Sequence, residues 1–170
     1  MTDENSPAND TPWLSATELE SWVPFSGMLL GLVSALDAQL QSDAKVSFFG
    51  YLVLAGLSEA PERTLPMSDL AVLAHGSLSR LSHAVSTLEK RGWVRRSPSP
   101  DNGRVTVAIL TDAGYAKIVA TAPGHVEAVR RLVLDPINAD QLRALGKIST
   151  AIADSMGSPC AGPARPAADR

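Results

Sequence analysis

Residues 77–92, SLSRLSHAVSTLEKRG, limit the fold more than any other stretch. Ser77 can accept from the free amides that open a helix, and Gly92 can take the left-handed conformation that closes one. Between them, Leu78, Leu81, Val85 and Leu88 recur at helical spacing, forming one apolar stripe assigned to the core. The opposite stripe is Arg80, His83, Thr87 and Lys90, flanked by Ser79, Ser82 and Ser86. It carries no carboxylate, whereas a plain solvent-exposed helix face mixes both charge signs. A face that enters the major groove of a duplex must exclude carboxylates, because phosphates repel them. It also needs short donors and acceptors beside one or two long ones. Arg80 is the candidate base contact, since its fork can hold guanine O6 and N7 together. His83 can read a base or bind phosphate, and Ser77, Ser79, Thr87 and Lys90 suit contacts to the backbone.

The flanking residues give that helix a setting. Ser68-Asp69 opens a short helix, MSDLAVLA, and His75-Gly76 supplies a turn. Trp93 to Ser97 and Val105 to Leu110 read as two strands around PSPDNG, with Val105, Val107 and Ile109 on one face. A short helix, a tight turn, a longer helix and a hairpin make the layout of a winged helix-turn-helix. The hairpin tip carries Arg104, and Arg95 and Arg96 stand at its base. A wing lying along a duplex puts its tip arginine in the narrow, negative minor groove.

Helical periodicity dominates the rest of the chain. Thr17 with Glu20 fits a capping box for a first helix bearing Leu29, Leu32, Val33, Leu36 and Leu40, with Pro24 marking its start or a kink. Ser47 caps a second, with Phe49, Leu52, Val53, Gly56 and Leu57 on one face, and residues 58–66 form a connector. Thr111 caps a long helix, with Asp112 at its positive end and a bend or break at Pro123-Gly124. A last helix is expected from Asn138 to Met156, with Leu142, Leu145, Ile148 and Ile152 on one side.

Charge is unevenly placed. The chain of 170 residues has a net charge of −3, but residues 1–74 carry −8, residues 75–104 carry +4 and the remainder +1. A basic island in an acidic chain points to a local polyanion site. Cys160 is the single cysteine, so no intrachain disulfide forms. His75, His83 and His125 are scattered, which argues against a metal site. No phosphate-cradling glycine loop, H-E-x-x-H or G-x-S-x-G elbow is present, so neither an enzyme nor a cofactor is expected. No apolar run approaches the ~20 residues of a membrane helix, and the acidic start lacks a signal peptide's pattern, so a cytoplasmic protein without membrane contact is expected.

Together, "MSDLA…SLSRLSHAVSTLEKRGWVRR…PDNGR…LTDAG" resembles the MarR family of bacterial transcription regulators. The resemblance runs from about residue 18 to 155 and is densest over 67–114. "TAPGHV" at Thr121 to Val126 is similar to a stretch found in some members. It implies a mainly α fold with a small β-hairpin wing, in which a winged helix-turn-helix is flanked by N- and C-terminal dimerisation helices. The expected divisions are a disordered tail over 1–14, a dimerisation helix over 15–44 and the DNA-binding domain over 45–110. Dimerisation helices over 111–156 and a disordered tail over 157–170 complete them. The resemblance further implies a homodimer on a palindromic operator in double-stranded DNA, acting as a repressor released by a small-molecule effector. Ser77, Ser79, Arg80 and His83 fall on its recognition-helix positions and Arg104 on its wing tip. Trp22, Phe25 and Tyr51 are the candidate effector contacts. The sequence departs from the family's Asp-x-Arg at the wing: Asn102 stands two residues before Arg104, and the carboxylate is at Asp101. A winged helix used only for protein contact is the alternative.

Overall fold

Most helices begin where side chains satisfy free amides in the computed structural model, which describes residues 11–157; the helix at Met67 instead follows Pro66 without a side-chain cap, so Ser68-Asp69 lies inside it rather than opening it. Helix α1 (Ala16–Ala44) starts at Ser15, whose Oγ accepts from Glu18 N at 3.3 Å while Glu18 Oε2 accepts from Ser15 N at 2.7 Å. This capping box lies two residues before the expected Thr17–Glu20 pair, so Thr17 falls within the first turn. Pro24 lies inside α1 rather than at its start. Lys45, at φ 56°, closes the helix in the left-handed region. Helix α2 (Phe48–Glu59) opens at the expected cap, Ser47, and its first amide donates to Asp37 Oδ1 at 2.7 Å, tying α2 to α1.

The connector after α2 holds a strand that the sequence reading missed. A tight turn at Pro61–Arg63 leads into β1 (Thr64–Pro66), followed by α3 (Met67–Leu73), α4 (Leu78–Lys90), β2 (Val94–Pro98) and β3 (Thr106–Leu110). The sheet is antiparallel in the order β1-β3-β2, with Leu65 and Arg96 both opposite Ala108. The wing therefore has three strands. Three residues ending in proline leave too little alternation to read as a strand.

Leu40, Val53, Leu54, Leu57, Leu70, Leu81 and Val85 form the centre of the core. Two assignments change. Leu78 is 57% exposed; as the first residue of α4 it stands off the core, which α4 enters at Leu81. On β3, Ala108 and Leu110 join the core cluster, while Val107 is buried and Ile109 is half-buried, as is Val105 just before the strand. The consecutive residues Val107 and Ala108 are both buried, so β3 is covered on both faces and simple alternation fails there.

Helix α5 (Asp112–Val129) packs against α1 and α2 and runs through Pro123 without ending. A π-helical turn (Arg130–Leu134) leads to α6 (Ala139–Ser155), capped reciprocally by Asn138 and Gln141. The two terminal helices bury little. The 29 residues of α1 bury Leu36, Leu40 and Ala44, and the 17 of α6 bury Ala153. Among the described residues α1 is long and apolar enough, by length and composition, to cross a membrane. This corrects the expectation that no such stretch exists: scattered glycines and serines split the run without making it polar on average. Cys160 and the outer parts of both tails lie outside the described residues.

Candidate nucleic-acid interface

Helix α4 is built from its cap. Ser77 Oγ accepts from Arg80 N at 3.2 Å, so this hydroxyl first serves to start α4. His75 takes φ 52° in the turn before it. Leu81, Val85 and Leu88 then bury one side of α4, which leaves Ser79, Arg80, His83, Thr87 and Lys90 exposed on the rest. The Thr87 hydroxyl donates to the His83 carbonyl at 3.1 Å. Thr87 also borders a hollow between α4 and the α1–α2 junction, together with Lys45 and Arg91. Arg80 and Lys90 take part in none of the ion pairs among the described residues.

The arginines near the wing divide into held and free. Arg96 donates through its backbone N to Glu89 Oε1 at 2.9 Å, through Nε to Oε2 at 2.9 Å, and to Ser86 Oγ at 3.0 Å. This network ties β2 to α4 and occupies the one carboxylate that α4 carries. Its hydrogen bonds hold the Glu89 carboxyl below its ordinary range. Arg91 donates to the Lys45 carbonyl and lies 5.0 Å from the Trp93 ring. Arg95 and Arg104 are exposed and lack ion pairs among the described residues. Asn102 Oδ1 accepts from the backbone N of Arg104 at 3.1 Å. The side chain that replaces the family's aspartate thus braces the tip through its backbone, and Asp101 forms no ion pair with Arg104.

The wing joins α5 through a tight joint. Thr111 Oγ1 donates to the Gly92 carbonyl at 2.7 Å and accepts from Gly114 N at 3.0 Å. A Cβ on Gly114 would sit 2.1 Å from the Trp93 carbonyl oxygen, so only glycine fits. Gly92, at φ 72°, closes α4 as expected. Arg63 adds a brace, bonding Asp112 at 3.0 Å and lying 3.8 Å from the Tyr115 ring.

The three candidate effector contacts do not meet within one chain. Trp22 and Phe25 pair at 6.1 Å on the exposed half of α1. Tyr51 is buried on α2, with its ring 4.4 Å from His125 of α5. Burial, with a smaller contribution from Glu59, raises the Tyr51 phenol above its ordinary value, and burial lowers the His125 imidazole. The sequence reading missed His125 here, and Phe49, whose ring lies beneath Arg80. A phenylalanine on a core stripe gives no signal of a second contact.

Residues 51–106 match the family model described as the MarR family. The structure is similar to that of Sco3205, a MarR family transcriptional regulator from Streptomyces coelicolor solved in complex with DNA. That likeness has a TM-score of 0.83 and 43% identity, covering 87% of this chain and 92% of that one. AbsC, another MarR family transcriptional regulator from the same organism, matches at a TM-score of 0.82 and 33% identity, covering 86% and 99%. The HTH-type transcriptional regulator YdcH of Bacillus subtilis is 33% identical over 60 residues, which span 35% of this chain and 41% of that protein.

Proposed function

Because the chain belongs to the MarR family of transcriptional regulators, we propose that it acts as a homodimeric repressor on a palindromic operator, released by a small-molecule effector. The observation that carries the DNA-binding reading is the α4 surface. Arg80, His83, Thr87 and Lys90 are exposed together, and the helix's own carboxylate, Glu89, is neutralised by Arg96. The rival reading, a winged helix for protein contact alone, requires neither this surface nor an unpaired Arg104. Sco3205, which shares 43% of aligned residues, was crystallised with DNA.

In this reading residues 45–110 read DNA, and residues 15–44 and 111–156 build the dimer. Leu30, Val33 and Ile148 are each more than half exposed in the single chain, and a second copy is the cover that removes them from water. A dimer holds its two recognition helices about one duplex turn apart, roughly 34 Å, which matches a palindrome. Repression follows where the operator overlaps a promoter in cytoplasmic DNA. The effector is assigned to the junction of α1, α2 and α5. Gln39 Oε1 and His125 Nδ1 are buried there without a hydrogen-bond partner among the described residues. A bound polar molecule that satisfies them in one arrangement of the helices shifts the dimer toward that arrangement. Tyr51 remains within this site, while Trp22 and Phe25 pass to the dimer surface.

Lys90→Ala tests the phosphate role. It should weaken binding to every duplex alike and lower the slope of log affinity against log salt by about one. An altered base preference with an unchanged slope contradicts the assignment.

A further inference from the structure

Phe49 of α2 joins the core and the DNA-facing surface. Phe49 is 7% exposed and belongs to the buried cluster. The Arg80 guanidinium carbon lies 4.2 Å from the ring centroid. On the adjacent side, a Cβ on Gly76 would meet ring Cε2 and Cζ at 2.6 Å and Arg80 Cδ at 3.8 Å. Gly76 is not among the positive-φ residues, so what requires glycine there is space for the ring.

We propose that Phe49 is a positioning residue for DNA readout: its ring, admitted by Gly76, holds Arg80 in one orientation before DNA arrives. The inference rests on the reading of Arg80 as the base-contacting residue. An arginine free in solvent samples many rotamers and loses that freedom when its fork engages a base edge. Stacking removes part of the freedom beforehand. A guanidinium lying flat over the ring keeps its in-plane N–H groups free for bidentate pairing, so in that orientation both contacts can form together. No carboxylate competes for Arg80 among the described residues.

The probe is a fluorescein-labelled duplex of the sequence that the wild-type protein enriches from a random pool, with all four base pairs placed in turn at each position. Arg80→Ala identifies the pair that Arg80 reads. Phe49→Leu and Gly76→Ala should each reduce discrimination at that pair about three- to fivefold. They should leave the other positions and the salt slope unchanged, and Phe49→Leu should add nothing in the Arg80→Ala background. In the free protein, 15N relaxation of Arg80 Nε–H should report an ordered group that becomes mobile in Phe49→Leu. A uniform loss at all positions, discrimination retained in both variants, or an Arg80 already mobile in the wild type overturns the inference. Should Phe49→Leu fail to fold, Gly76→Ala and the wild-type relaxation data decide. If Arg80→Ala leaves every preference intact, the base-contact reading falls and takes the inference with it. If Arg80→Ala relaxes one pair and the other two variants do not, the inference alone falls.

Discussion

From Ser77 to Gly114 the polar side chains that shape the wing and α4 have local partners, whereas α1 and α6 hold apolar faces out into solvent. Ser77 caps α4, Glu89 and Ser86 hold Arg96, Asn102 holds the wing tip, and Thr111 locks α4's end to α5. By contrast, residues 16–35 of α1 contribute nothing to the buried core. The unit of α4 and the wing completes its own structure. The terminal helices leave apolar residues such as Leu30, Val33 and Ile148 exposed, and a second copy is the cover proposed here.

Gly114→Val should strike the self-contained unit hardest. Its Cβ would collide with the Trp93 carbonyl, and overpacking of this kind costs about 3 kcal/mol. Urea unfolding measures it, and an unchanged midpoint would show that the wing is not locked to α5. Ile148→Glu should act on the other region. A symmetric dimer would bury two such carboxylates in an apolar seam at on the order of 1 kcal/mol each, so it should dissociate roughly 30-fold more readily in sedimentation. An unaffected dimer would remove α6 from the interface.

Two smaller effects depend on pH. Arg96 is 34% and Glu89 27% exposed, so Glu89→Gln should cost at most about 1 kcal/mol near neutrality. Arg96 lowers the Glu89 pKa from 4.5, so this stabilisation is present above pH 4.5 and is lost as the pH falls through the folded value. The gap between wild type and variant should therefore close in acid; a constant gap would rule out an ionic origin. His125 gives the smallest effect. Burial lowers its pKa from 6.5, so its neutral form favours folding above that value and stability declines as the pH falls below it. Between pH 7.5 and 5.5 the wild type should lose more Tm than His125→Gln, and equal losses would mean that the ring protonates freely.

The same division explains what could be read from the residues. In the unit of α4 and the wing each motif position has a local task. Ser77 caps, Leu81 and Leu88 pack, Gly92 takes a left-handed conformation, and Gly114 leaves room for a carbonyl. Local tasks leave local signals, and the helix boundaries there were legible. Pairings between one element and another were not. Nothing in the spacing showed that Glu89 would bond Arg96, that β1 would complete the sheet, or that Phe49 would lie beneath Arg80. The exposure of Leu78, and of Trp22 on α1, was equally hidden, because an apolar stripe reads alike whether it meets its own core or a partner. The wing departure shows the limit in reverse: Asn102 replaces the expected aspartate yet holds the tip, through a backbone amide that residue identity alone does not reveal.

Selection of bound duplexes from a random pool by the purified protein, at modest ionic strength, tests the central claim most directly. A homodimer reading DNA through α4 and the wing should enrich an inverted repeat with half-sites about 10 base pairs apart, centre to centre. A pool in which no duplex is held more tightly than scrambled competitor would contradict it.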